Sequence, residues 1–95
     1  GMENTEWARV VLGDLFFENG QFNAAKQIYA AALQYRGEYA PALAGMAKLE
    51  IRSANYEAAI ELLKKCVSNS SEAHYVSLLA DAYFLSGDIK KSEEI

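Results

Sequence analysis

The chain holds one cysteine, Cys66, and one histidine, His74, and a search for chemistry starts with these two side chains. Nucleophilic catalysis needs a nucleophile, a base within hydrogen-bond reach and a third group to orient that base. Cys66 falls where the surrounding pattern calls for a small apolar side chain, which reads as an inert packed thiol rather than a reactive one. His74 has no second histidine to complete a metal site, so it reads as a surface or groove-lining residue. No glycine-rich phosphate loop is present. No enzyme activity, metal or cofactor is therefore expected of these residues. A catalytic domain in a longer protein is the one enzymatic route left open.

The bulk numbers narrow the partners. At 95 residues, 52% of them apolar, the chain amounts to one domain or a piece of a larger one. Its net charge of −4 argues against a binder of nucleic-acid phosphates, which would need clustered Lys and Arg. A lone cysteine allows no intrachain disulfide. No apolar run approaches the ~18–20 residues that span a bilayer, so no membrane insertion is expected. The opening Gly1-Met2-Glu3-Asn4 has neither a basic nor an apolar signal region, which favours the cytoplasm. Gly1 before Met2 reads as the remnant of a cleaved tag. Ile95 falls inside a helical pattern, so a continuation of the natural chain is expected.

The elements that must position these residues are helices. Apolar residues recur at helical spacing, as in Trp7, Val10, Val11, Leu15 and then Phe22, Ala25, Ile28, Tyr29, Ala32, and the strand signal is weak throughout. The pattern predicts six helical stretches, roughly 4–18, 22–35, 40–53, 56–68, 72–86 and 89 onward. Turn signals stand at Asn19-Gly20, Ala54-Asn55 and Ser86-Gly87. Setting those turns in register exposes a period of about 34 residues, then about 33. LGDLFFENGQFNAAKQIY lies over MAKLEIRSANYEAAIELL, and LADAYFLSGDIKKSEEI lies over both.

With that register the chain resembles the tetratricopeptide repeat family, whose pattern is W-x2-L-G-x2-Y…A-x3-F…P. The first unit carries Leu12-Gly13-x2-Phe16, Gly20, Phe22 and Ala25-x3-Tyr29, followed by Ala32. The second carries Met46-Ala47, Tyr56, Ala59-x3-Leu63 and Cys66. The third carries Leu79-Ala80-x2-Tyr83, Gly87 and Ile89. The resemblance implies an all-α fold, a right-handed superhelix of antiparallel helix pairs, in units of about 5–38, 39–72 and an incomplete 73–95. Small residues are then needed where helices cross: Gly13, Ala47 and Ala80 on first helices, Ala25, Ala59 and Ser92 on second helices, and Ala32 and Cys66 toward the following unit.

There are departures. Glu50 sits where Phe16 and Tyr83 are aromatic, and is expected to reach water, since an unpaired buried carboxylate is costly. The family's proline is absent at Gly37 and in the SNSS stretch, so other chemistry must set those turns. Ser68–Ser71 offers helix-capping side chains. The incomplete third unit leaves an apolar face to be covered by a continuation or by another copy.

The resemblance also implies a function: a protein-interaction scaffold whose first helices line a concave groove for a peptide or partner helix. Carried over by register, the groove set is Trp7, Val10, Asp14, Phe17 and Glu18, then Pro41, Ala44, Lys48, Ile51 and Arg52, then His74, Ser77, Asp81, Phe84 and Leu85. The first four of each set are spaced 3, 4, 3 and share one helical stripe on geometry alone. Two rows cross the units: Asp14, Lys48 and Asp81 alternate in sign, and Phe17, Ile51 and Phe84 are apolar. Such a groove suits an amphipathic helix or an apolar-anchored peptide. The plainer alternative is that the charges pair with one another and the apolar row is ordinary packing between units. Trp7 is the best single anchor, although it could instead seal the N-terminal end. Some family members clamp the C-terminal carboxylates of chaperones with Lys, Asn and Arg. The matching positions here are Val10, Asp14, Gly45, His74 and Leu78, so no such tail should bind. The alternative to a groove binder is a structural module whose terminal helices pair with another copy or with the rest of a longer chain.

Overall fold

The computed structural model describes residues 5–70 and 72–87. Five α-helices make up this span: α1 Thr5–Glu18, α2 Phe22–Tyr35, α3 Ala40–Arg52, α4 Tyr56–Asn69 and α5 Ala73–Leu85, with no strand among the described residues. Each end lies within about a residue of the periodic pattern in the sequence. The sixth stretch, from residue 89, and Ser92 within it lie outside the described residues. Connections of three residues join α1 to α2 and α3 to α4, which makes each pair an antiparallel hairpin. Across units α2 packs on α3, α4 packs on α5, and α1 touches α3. This is an all-α stack of two-helix units.

The turns show the repeat most directly. After α1 the Gln21 N–H donates to the Phe16 carbonyl (2.9 Å) and the Gly20 N–H to Phe17 (3.0 Å). After α3 the Asn55 N–H donates to Glu50 (2.8 Å) and the Ala54 N–H to Ile51 (3.0 Å), and after α5 the Gly87 N–H donates to Phe84 (3.0 Å). The bonds closing the first two turns, from Gln21 and from Asn55, reach back five residues and satisfy carbonyls the helix leaves open. Each of the three turns needs one left-handed residue, which is Gly20 at φ 79°, Ala54 at φ 62° and Gly87 at φ 84°. Only the middle unit places a side chain there.

The core forms two clusters, one around Tyr29 and one around Leu63, each side chain fully buried. Leu33 packs against both clusters and ties them together. Burying either large side chain is worth about 2–3 kcal/mol. The small-residue positions at Ala25, Ala32, Ala47, Ala59 and Cys66 are all buried, while Ala80 is half-buried. At Gly13 the reason is visible: a Cβ there would lie 2.7 Å from the Tyr29 ring. A Cβ at Gly45 would run into the same ring from the other side of the joint. Tyr29 is thus boxed between two glycines on α1 and α3.

Glu50 is half-buried and lines a hollow of about 220 Å³ between α2 and α3, together with Lys26 and Arg52. One repeat later the matching hollow, about 480 Å³ between α4 and α5, has Ile60 and Tyr83 at the positions of Lys26 and Glu50. The two departures occur together, so a polar pair at one joint replaces an apolar pair at the other. No buried side-chain nitrogen or oxygen among the described residues lacks a partner. Where the family's proline is missing, Arg36 lies over the Tyr39 ring at 5.0 Å and within 3.7 Å of Glu6. In the second such turn the Asn69 amide donates to the Lys65 carbonyl (2.8 Å) and to Glu38 (3.2 Å). Ser70 does not cap α5 in the usual way. Ser70 Oγ accepts from the Glu72 N–H at 3.3 Å, and the first turn of α5 has no side-chain cap.

Candidate peptide-binding groove

The groove set lies on α1, α3 and α5, and the structure sorts its members by what each side chain already does. Trp7 and Phe84, at opposite ends, are 58% and 63% exposed, and Leu85 is exposed beside Phe84. Val10 is 6% exposed and belongs to the first core cluster, and Ala44 belongs to the second. These two positions of the stripe face inward, because a one-sided helix must bury about half of its circumference. The expectation that Val10 lines the groove is corrected on that ground. Pro41 is half-buried, while Glu18, Ser77 and Asp81 are exposed.

The charged row does not pair with itself. Tyr29 Oη donates to Asp14 Oδ1 at 2.5 Å, so Asp14 is held from beneath by the core. Lys48 and Asp81 are exposed and make no ion pair with a described residue. Burial of the Tyr29 phenol pushes its pKa well above the ordinary value of 10.0, and the bond to Asp14 and the charges of Asp14 and Glu18 add to that. The phenol therefore remains a donor through neutral and mildly alkaline pH. Arg52 does not project freely. Its guanidinium stacks over the Phe22 ring at 4.5 Å, at the edge of the hollow that holds Glu50.

The apolar row divides. Phe17 is half-buried and meets Phe22 edge-on, with ring centres 5.4 Å apart and planes at 69°. Ile51 is half-buried against the second cluster, whereas Phe84 stands open. His74 is exposed, with Nδ1 3.6 Å from Glu72 and its ring 4.3 Å from Tyr75.

The chemical candidates show no activation. Cys66 Sγ donates to the Ala40 carbonyl at 3.4 Å, and burial pushes its thiol up to about 11, the opposite of what a nucleophile needs. No group of three or more His, Cys, Asp or Glu among the described residues could hold a metal ion. No described helix is long and apolar enough to cross a membrane.

A tetratricopeptide repeat family model matches residues 16–80. The chain belongs to the tetratricopeptide repeat family. No curated protein matches the chain significantly. Repeats of this family mediate protein–protein interaction, bind proteins or peptides, and are typically non-enzymatic scaffolds.

Two residues of the tetratricopeptide joint escaped the sequence reading. Tyr29 appeared there only as a core aromatic, and Gly45 only as a position lacking a clamp residue. The signal was present inside the chain. Where Tyr29 becomes Leu63 one repeat later, Gly45 becomes Leu78, so a large side chain and a gap exchange together.

Proposed function

We propose that this chain is a protein-interaction module that holds a peptide or partner helix in the groove lined by α1, α3 and α5. The observation that carries the reading is that Lys48 and Asp81 stand exposed, with no ion pair to a described residue, on the face that also carries the open aromatic rings of Trp7 and Phe84. Exposed aromatic residues beside unspent charges are what an interface uses for anchoring and for selectivity. The positions of a carboxylate clamp hold Val10, Asp14, Gly45, His74 and Leu78, and an acidic chaperone tail is not the occupant. Selecting ligands from a displayed random-peptide library and repeating the binding with Trp7→Ala, Phe17→Ala and Lys48→Glu tests the reading. Binding should fall at least tenfold while the Lys48→Glu protein melts like the parent. Ligands indifferent to all three changes would place the site elsewhere.

A second reading has its own observation. On α1, Val11, Leu12 and Leu15 are 39%, 43% and 51% exposed. Their counterparts are Gly45, Met46 and Leu49 on α3, and Leu78, Leu79 and Ala82 on α5, where the preceding helix packs and all are buried or half-buried. That open face supports an assembly role in which α1 packs on another helix. Light scattering across a concentration series separates the two: a dimer dispersed by Leu15→Glu favours assembly, and a constant monomer favours the free groove.

A further inference from the structure

The groove floor carries a charge order that its own residues leave unneutralised. Crossing from α1 to α3 to α5, an occupant meets Asp14, Lys48 and Asp81, which are negative, positive and negative. Asp14 Oδ1 accepts from the Tyr29 hydroxyl, which fixes its position in the floor. Neither Lys48 nor Asp81 makes an ion pair with a described residue. Arg52, the other cation of that helix's groove face, is drawn aside onto Phe22.

The accessible floor is polar in its middle and apolar at its ends. Val10 and Ala44 are buried, Phe17 and Ile51 half-buried, and open aromatic surface remains at Trp7 and Phe84. A docking helix satisfies its own backbone and needs a continuous apolar stripe, which this floor lacks. An extended chain brings unpaired N–H and C=O groups that can use the polar middle. α1 touches α3, and helices in contact lie about 8–10 Å apart, while three residues of an extended polyproline-type chain advance about 9 Å and return to the same face. Carried on to α5 by the repeat register, that interval sets the spacing of three.

Resting on the groove reading above, we infer that the occupant is an extended peptide of the pattern basic-x-x-acidic-x-x-basic, flanked by apolar residues that reach Trp7 and Phe84. The basic side chains sit over Asp14 and Asp81 and the acidic one over Lys48. A peptide of reversed charge order meets like charge at three successive positions and is rejected.

The test uses the whole chain and a displayed library of random twelve-residue peptides. Sequences enriched on the parent should carry the pattern, and those enriched on Lys48→Glu should replace the central acid with a base. A synthetic parent-selected peptide should lose about tenfold in affinity when its central acid becomes Lys, and should regain it on the Lys48→Glu protein. Lys48 is exposed and makes no ion pair with a described residue, so this variant keeps the fold. Asp14→Asn, which keeps an acceptor for Tyr29, should relax the preference at the first basic position only. Enriched peptides that need Trp7 but carry no such charge order, or carry it at seven-residue helical spacing, would overturn the inference and leave the groove reading standing. Peptides unaffected by Trp7→Ala and Lys48→Glu, or no enrichment at all, would overturn both.

Discussion

At the joint between α2 and α3 the contact is filled by Tyr29, held between Gly13 and Gly45. At the joint between α4 and α5, one repeat later, Leu63 takes its place and Leu78 stands where Gly45 stood. The hollows beside the two joints differ in the same sense, with Lys26 and Glu50 at the first and Ile60 and Tyr83 at the second. Repeated backbone geometry therefore accepts two packing solutions, provided that volume and polarity change in facing pairs. The first solution does something the second cannot. The tyrosine also reaches across its own hairpin to Asp14 on α1, so the core and the groove share a hydrogen bond.

The comparison is most sharply tested at Gly45. Gly45→Ala should destabilise the chain by about 2–3 kcal/mol, because its Cβ would overlap the Tyr29 ring, which is already in close contact with Gly13. Adding Tyr29→Leu, which imports the solution of the second joint, should recover much of that loss. The double variant would then be more stable than the sum of the single changes predicts. Urea unfolding of the four proteins reads this directly. A Gly45→Ala protein that unfolds with the parent would mean that the ring is not trapped.

Alkaline titration separates the joints by their buried acids. The folded Cys66 thiol holds its proton up to about 11, against an ordinary value of 9.0. Its contribution is complete below pH 9 and is lost as pH rises through 11, because the unfolded chain releases the proton first. By pH 11 the loss should reach about 2 kcal/mol. Tyr29 acts with the same sign from its ordinary value of 10.0 upward. Cys66→Ala should flatten the stability curve between pH 9 and 11, and Tyr29→Phe should remove a further loss that begins at pH 10. At neutral pH, Tyr29→Phe removes only the bond to Asp14. It should cost about 1 kcal/mol, since the half-buried carboxylate can turn to water. Chemical denaturation at fixed pH values checks both statements.

The repeat was legible because its signals are local. Helical periodicity and the Asn19-Gly20 and Ser86-Gly87 turns survive in any context, and they placed five helices nearly to the residue. The small-residue rule at Gly13, Ala25 and Ala59 was legible for the same reason. The groove was legible only as a stripe. Helical spacing puts Val10 beside Asp14 and Phe17 but does not say how far the neighbouring helix wraps around α1, and that decides which of them is buried. The stacking of Arg52 was not legible, because its partner, Phe22, belongs to the other half of the preceding hairpin. The pairing of Tyr29 with Gly45 is a contact between units, and periodicity within a helix carries no information about it.

The smallest expected effect lies in the turns that feed the two joints. Gly20 leads into α2 and Ala54 into α4, and both adopt positive φ. An alanine in the left-handed region carries a steric cost of about 1–2 kcal/mol, while glycine gives back about 0.4–1 kcal/mol through the greater freedom of the unfolded chain. Ala54→Gly should therefore stabilise the protein by about 0.5–1 kcal/mol, and Gly20→Ala should destabilise it by a similar amount. In a chain of this length that corresponds to a shift in Tm of about 3–5 °C in each direction. The pair of variants asks whether the second joint is entered under strain that the first avoids. Opposite shifts of equal size would mean that the two turns are interchangeable and that the joints differ only in their side chains. An Ala54→Gly protein that melts no higher than the parent would mean that the turn into α4 gains from its methyl group what it loses in backbone strain.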